Sequence, residues 1–307
     1  MHKSPIVVDG ISKSYPVGKE KVNAVTNISF IVNPGEIFGL IGPDGAGKTS
    51  LFRILTTLLI PDNGNAYVEG FNTVNDYHEI RKIVGYMPGR FSLYQDLSVE
   101  ENLSFFATLF NTSLEENYDL VKDIYNQIEP FKKRRAGKLS GGMKQKLALC
   151  CALIHRPHVL FLDEPTTGVD AVSRTEFWTL LRKLQDQSIT MMVSTPYMDE
   201  ASLCDRVALI QNGNILDIDT PKEITNKFEN PLWAFRSDQM YKLLLDLQQM
   251  DNVIACYPFG QHHHVVLHQD QDVPEILDQL KAKGQTNLKA EPGIVTIEDC
   301  FMQQMRK

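Results

Sequence analysis

The apolar positions change their period along the chain. In "NISFIVNPGE", Ile28, Phe30 and Val32 alternate with polar neighbours, the period of a half-buried strand, before Pro34-Gly35 turns the chain. "EIFGLIG" is a continuous apolar run, as a strand buried on both faces requires. "NAYVEG" and "KIVGYM" read as further strands. From Leu97 the period becomes helical. Leu103, Phe106 and Phe110 recur at helical spacing, and "SVEE" is a capping box with Ser98 as N-cap and Glu101 at the third helical position. Helical character persists to about Leu153. Two short apolar runs, "HVLFLDE" and "SITMMVS", then flank a helical stretch around "SRTEFWTLLRKLQ", so strand, helix, strand implies a parallel sheet with crossovers. "SITMMVS" ends at Pro196, which no central strand accommodates, and "YMDE" after it reads as a helix start. "RVALIQNGNILDID" is a hairpin turning on Asn212-Gly213.

Beyond about Pro221 the character changes. "KLLLDLQQM", "VIACYPFG", "HHHVVLH", "VPEILDQLKAK" and "GIVTIEDC" predict helix, strand, strand, helix, strand, a small α+β unit of ferredoxin-like character. The length, 307 residues, is enough for one full domain and a smaller one. A net charge of -7 argues against a nucleic-acid binder working by bulk electrostatics. The five cysteines form no C-x-x-C pair and read as reduced cytosolic thiols. The start, "MHKSPIVVDG", lacks a signal-peptide apolar core, and no apolar stretch approaches the roughly 20 residues that span a bilayer. Direct membrane insertion is not expected, so a membrane role has to run through a partner.

"GPDGAGKT" carries the first chemistry: Gly42, Pro43, Asp44, Gly45, Ala46, Gly47, Lys48 and Thr49 fit G-x-x-x-x-G-K-[ST] between a buried strand and a helix. The glycines let successive backbone N–H groups curl toward a phosphate, and the helix start adds partial positive charge. Lys48 is placed to contact the β- and γ-phosphates of ATP and Thr49 to ligate Mg²⁺. A plain glycine-rich turn is the competing reading, and the Lys-Thr pair with both flanks in place counts against it. "VLFLDE" supplies a strand ending in Asp163, a Mg²⁺ carboxylate, followed by Glu164, which can take a proton from an attacking water. Two carboxylates at a strand end can also be an ordinary polar terminus; after such a loop that reading weakens.

"LSGGMKQK" resembles the signature of the ATP-binding cassette (ABC) ATPases, and the resemblance, with its motifs in order, covers nearly all of residues 5–220. It implies a P-loop ABC ATPase domain over residues 1–220, with a parallel-sheet core, an antiparallel β subdomain and a helical subdomain at about 90–155. A C-terminal accessory α+β domain would follow over 221–307. It further implies that Ser140, Gly141 and Gly142 open a helix onto the γ-phosphate held by an opposite subunit, two chains sandwiching two ATP molecules. Tyr15 falls where the family stacks an aromatic ring on adenine, although an exposed tyrosine at a strand end has a bland reading too. Asp170 in "GVDA" occupies the loop that crosses the dimer interface. The run "KKRR" (132–135) is a solvated basic stretch with at most a minor part in attracting nucleotide.

Two positions depart from the family. Gly89 stands where a glutamine usually contacts the metal or attacking water and relays movement to the membrane partner. Pro196 stands where a switch histidine usually contacts the γ-phosphate. "YMPGRFSLYQDLSVEENL", "DEPTTGVDA" and "STPYMDEA" look like the drug- and antibiotic-export (daunorubicin-type) branch, and "TIEDCFMQQM" resembles its accessory domain. This implies an ATP-hydrolysing subunit powering a separately encoded integral membrane permease at the inner face of a bacterial cytoplasmic membrane. The alternative is a regulatory, hydrolysis-impaired cassette, a slow clamp or the partner of a competent one. A role in translation or DNA repair is disfavoured, because neither tandem cassettes nor long coiled coils are visible. His262 to His264 sit in a strand, where consecutive residues face opposite sides, which disfavours a metal site.

Overall fold

The computed structural model describes residues 4–306 except residue 91, and divides into two compact units, Met1–Pro221 and Lys222–Lys307. In the first, β1 (Ile6–Val17) and β2 (Glu20–Val32) form a long antiparallel pair, and the buried run β3 (Ile37–Ile41) leads through the glycine-rich loop into α1 (Lys48–Leu55). β4 (Asn63–Val68), β5 (Phe71–Asn72), α2 (Tyr77–Ile83) and β6 (Val84–Met87) come after it. Three helices are next: α3 (Val99–Leu109), α4 (Tyr118–Ile128) and α5 (Gly141–Leu153). The α3 start is the capping box read from "SVEE": Ser98 accepts from the Glu101 N–H, and the Glu101 carboxylate accepts from the Ser98 N–H. β7 (Val159–Asp163), α6 (Ala171–Gln185) and β8 (Thr190–Thr195) are the expected strand–helix–strand unit. β9 (Arg206–Gln211) and β10 (Asn214–Asp219) are the hairpin, turning on Asn212 (φ 47°) and Gly213 (φ 75°) as a primed turn requires.

These strands form an antiparallel sheet in the order β2-β1-β4-β5 and a six-stranded sheet in the order β10-β9-β3-β8-β7-β6. β6, β7, β8, β3 and β9 run parallel; only the edge strand β10 is antiparallel. One core ties both sheets to α1: Ile6, Ile11 and Val32 pack with Phe38, Phe52 and Phe161, the last two rings meeting edge to face at 6.0 Å. Pro196 ends β8, and the chain continues as a 3-10 turn (Met198–Leu203) rather than an α-helix.

α7 (Pro221–Asn226) leads into the second unit, which contains β11 (Leu232–Arg236), α8 (Met240–Gln248), β12 (Val253–Phe259), β13 (His262–Leu267), α9 (Val273–Ala282), β14 (Lys289–Pro292) and α10 (Ile297–Gln304). The sheet order β12-β13-β11-β14, antiparallel throughout, is the split β-α-β-β-α-β arrangement with one added helix. "GIVTIEDC" is not the expected strand. Thr296 and Asp299 make a capping box that starts α10, and the strand lies earlier, at β14. The run of β-branched residues in "GIVTI" mimics a strand, and the cap overrides it. Of the three histidines, His264 Nδ1 lies 2.7 Å from Asp299 Oδ1 and His263 Nε2 lies 2.7 Å from the Met240 carbonyl. Asp299 also accepts from Tyr257 and Thr296, so it closes a buried network under α10. No group of three or more His, Cys, Asp or Glu side chains placed to hold a metal ion occurs among the described residues.

Candidate active site

The parallel sheet brings the tips of β3, β7 and β8 side by side. The Gly42 N–H donates to the Thr195 carbonyl (3.3 Å), which hitches the start of the loop to the end of β8. Gly47 caps α1 with φ 105°, and a Cβ there would lie 2.1 Å from the Ala24 carbonyl oxygen. Gly45, at φ 79°, has no atom within 4 Å of where its Cβ would sit, so the loop faces open space there. Gly47→Ala is expected to cost at least about 1–3 kcal/mol of stability from the unfavourable φ alone. Urea denaturation of the full chain measures it, and an unchanged midpoint would show that the loop relaxes freely.

Lys48 is buried, only 3% exposed. Its Nζ donates to the carbonyls of Gly42 (2.8 Å) and Pro43 (3.0 Å) and lies 3.2 Å from Glu164 Oε1. The ammonium therefore stands between the loop and the second carboxylate. Burial pushes the Asp163 carboxyl above the usual carboxylate range, and hydrogen bonds from the hydroxyls of Ser194 and Thr49 pull it back. Ser194 Oγ donates to Asp163 Oδ1 at 2.5 Å. The Glu164 N–H in turn donates to both Oγ and the carbonyl of Ser194, each at 3.0 Å. Glu164 holds φ 51°, the left-handed region, which a non-glycine residue adopts at a cost. Two residues further on, Thr166 Oγ1 donates to buried Glu200 (2.7 Å).

The two departing positions flank this cluster. A Cβ on Gly89 would lie 3.1 Å from the Asp163 carbonyl and 3.7 Å from Glu164 Cβ, so residue 89 abuts the carboxylate pair. Pro196 comes after Thr195, whose Oγ1 accepts from the Tyr197 N–H (3.1 Å), while the Tyr197 ring lies 4.5 Å from the Arg174 guanidinium. Both neighbours of Pro196 are thus engaged in local contacts.

Tyr15 sits beside the loop helix, its hydroxyl 3.2 Å from Ser50 Oγ. Ser140 caps α5, accepting from the Met143 N–H (3.4 Å), and a Cβ on Gly142 would lie 2.6 Å from Ser173 Oγ. Gly142 therefore packs on the start of α6, where Asp170 accepts from the Ser173 N–H (3.0 Å), and Gly141 lies against the Gly168 carbonyl just before it. Lys48, Thr49, Asp163 and Glu164 converge; the Ser140–Gly142 stretch is held against α6 instead. Within "KKRR", the Lys132 and Arg134 carbonyls accept from the Glu100 and Val99 N–H groups, a structural use of the segment. Sequence reasoning misses Ser194 and Glu200, because no local pattern marks a polar residue at a strand tip as a partner of a distant group.

The donor set fits the expected ligands. The Thr49 hydroxyl lowers the Asp163 carboxyl's pKa, and the two offer the hard oxygen donors that Mg²⁺ requires; the open glycine loop beside a buried ammonium suits phosphate.

A family profile described as "ABC transporter" matches residues 25–167. The multidrug ABC transporter ATP-binding protein YbhF of Escherichia coli, a probable assignment by its own description, is 42% identical over 227 residues, 73% of this chain and 39% of that protein. The chain thus spans about two fifths of that relative. The doxorubicin resistance ATP-binding protein DrrA of Mycobacterium tuberculosis is 34% identical over 273 residues, 87% of this chain and 80% of that protein. Among solved structures, the dimeric bacterial ABC transporter cassette MJ0796 superposes with a TM-score of 0.64 at 25% identity, covering 70% of this chain and 98% of that one. An identity of 34% sustained over four fifths of a relative's length settles the affiliation: this chain is a member of the ABC transporter family.

Proposed function

We propose that the chain is the ATP-binding and ATP-hydrolysing subunit of an ABC export system and powers a separate integral membrane permease. The observation that carries this reading is the convergence of Lys48, Thr49, Asp163 and Glu164 at the tips of β3 and β7. Lys48 and the loop N–H groups hold the β- and γ-phosphates of ATP, and Tyr15 lies against the adenine. Thr49 and Asp163 hold Mg²⁺, which when bound neutralises charge on the phosphate oxygens. Glu164 accepts the proton of the attacking water. The stretch from Ser140 to Gly142 completes the site of a second subunit in a head-to-tail dimer. Drug-resistance relatives support export as the direction and a drug-like compound as cargo.

No helix among the described residues is long and apolar enough to cross a membrane. In this reading the chain works peripherally, at the cytoplasmic face of the bacterial inner membrane, on the permease it powers. We place the permease contact in a groove of 760 Å³ whose apolar lining includes Met87, Leu93, Phe106 and Phe110 and which Arg81 and Lys82 also border, because it is mainly apolar and adjoins the segment that carries Gly89.

Steady-state ATP hydrolysis by the purified chain, alone and with a permease, tests the reading. A brisk rate rejects a slow clamp; no hydrolysis in either setting, with ATP still bound, favours it. Pro196→His restores a donor at the tip of β8. It is expected to raise turnover by up to about 100-fold, the worth of one preorganised hydrogen bond to a charge-bearing transition state. Identical rates would mean that this chain does not use position 196.

A further inference from the structure

The tip of β8 touches both carboxylate residues through a side chain two positions before Pro196. Ser194 is fully buried and pairs in register with Asp163 across the parallel β7–β8 ladder. Its hydroxyl donates to Asp163 Oδ1 (2.5 Å) and accepts from the Glu164 N–H (3.0 Å). One hydroxyl therefore fixes the rotation of the first carboxylate and braces the strained backbone of the second residue, at φ 51°.

We propose that Ser194 is a positioning residue that aims Asp163 at the metal and fixes where Glu164 projects. The proposal rests on the ATPase reading above and adds a residue to it. Groups that orient a metal's ligands typically change metal affinity or activity by about 10- to 100-fold when removed. A buried serine kept only for packing would move stability alone. The geometry also shows why the link survives Pro196: it runs through Ser194 and does not use residue 196.

Ser194→Ala deletes the hydroxyl but leaves the Ser194 backbone carbonyl, which still accepts from the Glu164 N–H (3.0 Å), so the strand tip keeps a tie. The full chain is loaded with ADP, which avoids turnover, and Mn²⁺ binding is monitored by electron paramagnetic resonance. Ser194→Ala is expected to weaken Mn²⁺ binding by about 10-fold or more, with ADP affinity in EDTA unchanged. Ser194→Thr, which retains the hydroxyl, should return toward wild type. Ser194→Cys, of similar shape but a weak donor, should fall on the alanine side. A folded Ser194→Ala chain that binds Mn²⁺ like the wild type, or loses only stability, overturns the role of Ser194. A wild-type chain with no ADP-dependent Mn²⁺ signal overturns the ATPase reading itself, and the two failures are distinct.

Discussion

Lys48→Ala is expected to lower ATP affinity by about 100-fold or more. The magnitude comes from losing two charge-assisted hydrogen bonds to phosphate, each worth roughly 1.5–3 kcal/mol, against about 1.4 kcal/mol per factor of ten. The effect is large because Lys48 is preorganised. Its Nζ is already held beside the loop by the Gly42 and Pro43 carbonyls and Glu164, so little side-chain entropy remains to be lost when its donors exchange those acceptors for phosphate oxygens. Titration with a fluorescent ATP analogue reads the change. Lys48→Met, which keeps the length of the stem, separates loss of charge from loss of packing. Unchanged affinity in both variants would sink the phosphate-loop assignment.

Glu164→Gln should keep ATP binding and lower turnover by about 10²- to 10⁴-fold, the usual span for removing a general base. Glutamine preserves the shape, and the Glu164 backbone keeps its donation to Ser194, so the loop geometry survives the change. The chain should then accumulate as an ATP-bound dimer, visible by size-exclusion chromatography with ATP and gone with ADP. Full activity in this variant would remove the base role from Glu164. With the Lys48 variants, the pair divides the site: one substitution removes binding, and the other retains binding while stalling the reaction.

Local signals explain what is legible in the sequence. β3 is an uninterrupted apolar run and β7 is apolar up to Asp163, the Ser98–Glu101 box is contiguous, and Asn212-Gly213 dictates its own turn. Each is encoded within a few residues. The Thr296–Asp299 cap is equally local, yet the β-branched run Ile294, Val295, Thr296 obscures it. β11 is hard to read because "LWAFR" is too short to show a period, and it becomes a strand by pairing on both sides, with β13 and β14. The relations among Ser194, Asp163 and Glu164 are another matter. They depend on the register between β7 and β8, a long-range pairing that no motif encodes. Gly89 stands out in the sequence for the side chain it lacks; that it lies against the Asp163 carbonyl is visible only in three dimensions.

The position of β3 has a consequence for how the chain assembles. β3 precedes the phosphate loop directly, yet its two sheet neighbours, β8 and β9, come far later: Ile37 is in register with Met191 and Phe38 with Arg206. Closing such long loops is costly before the native contacts reward it, so parallel pairing across this separation forms late and slowly. The loop that is early in sequence is therefore late in folding. Residues 25–167, the span matched by the family profile, contain the loop and Asp163 but neither strand that flanks β3. Excised, that stretch would carry the motifs of a nucleotide site without the sheet that makes them one.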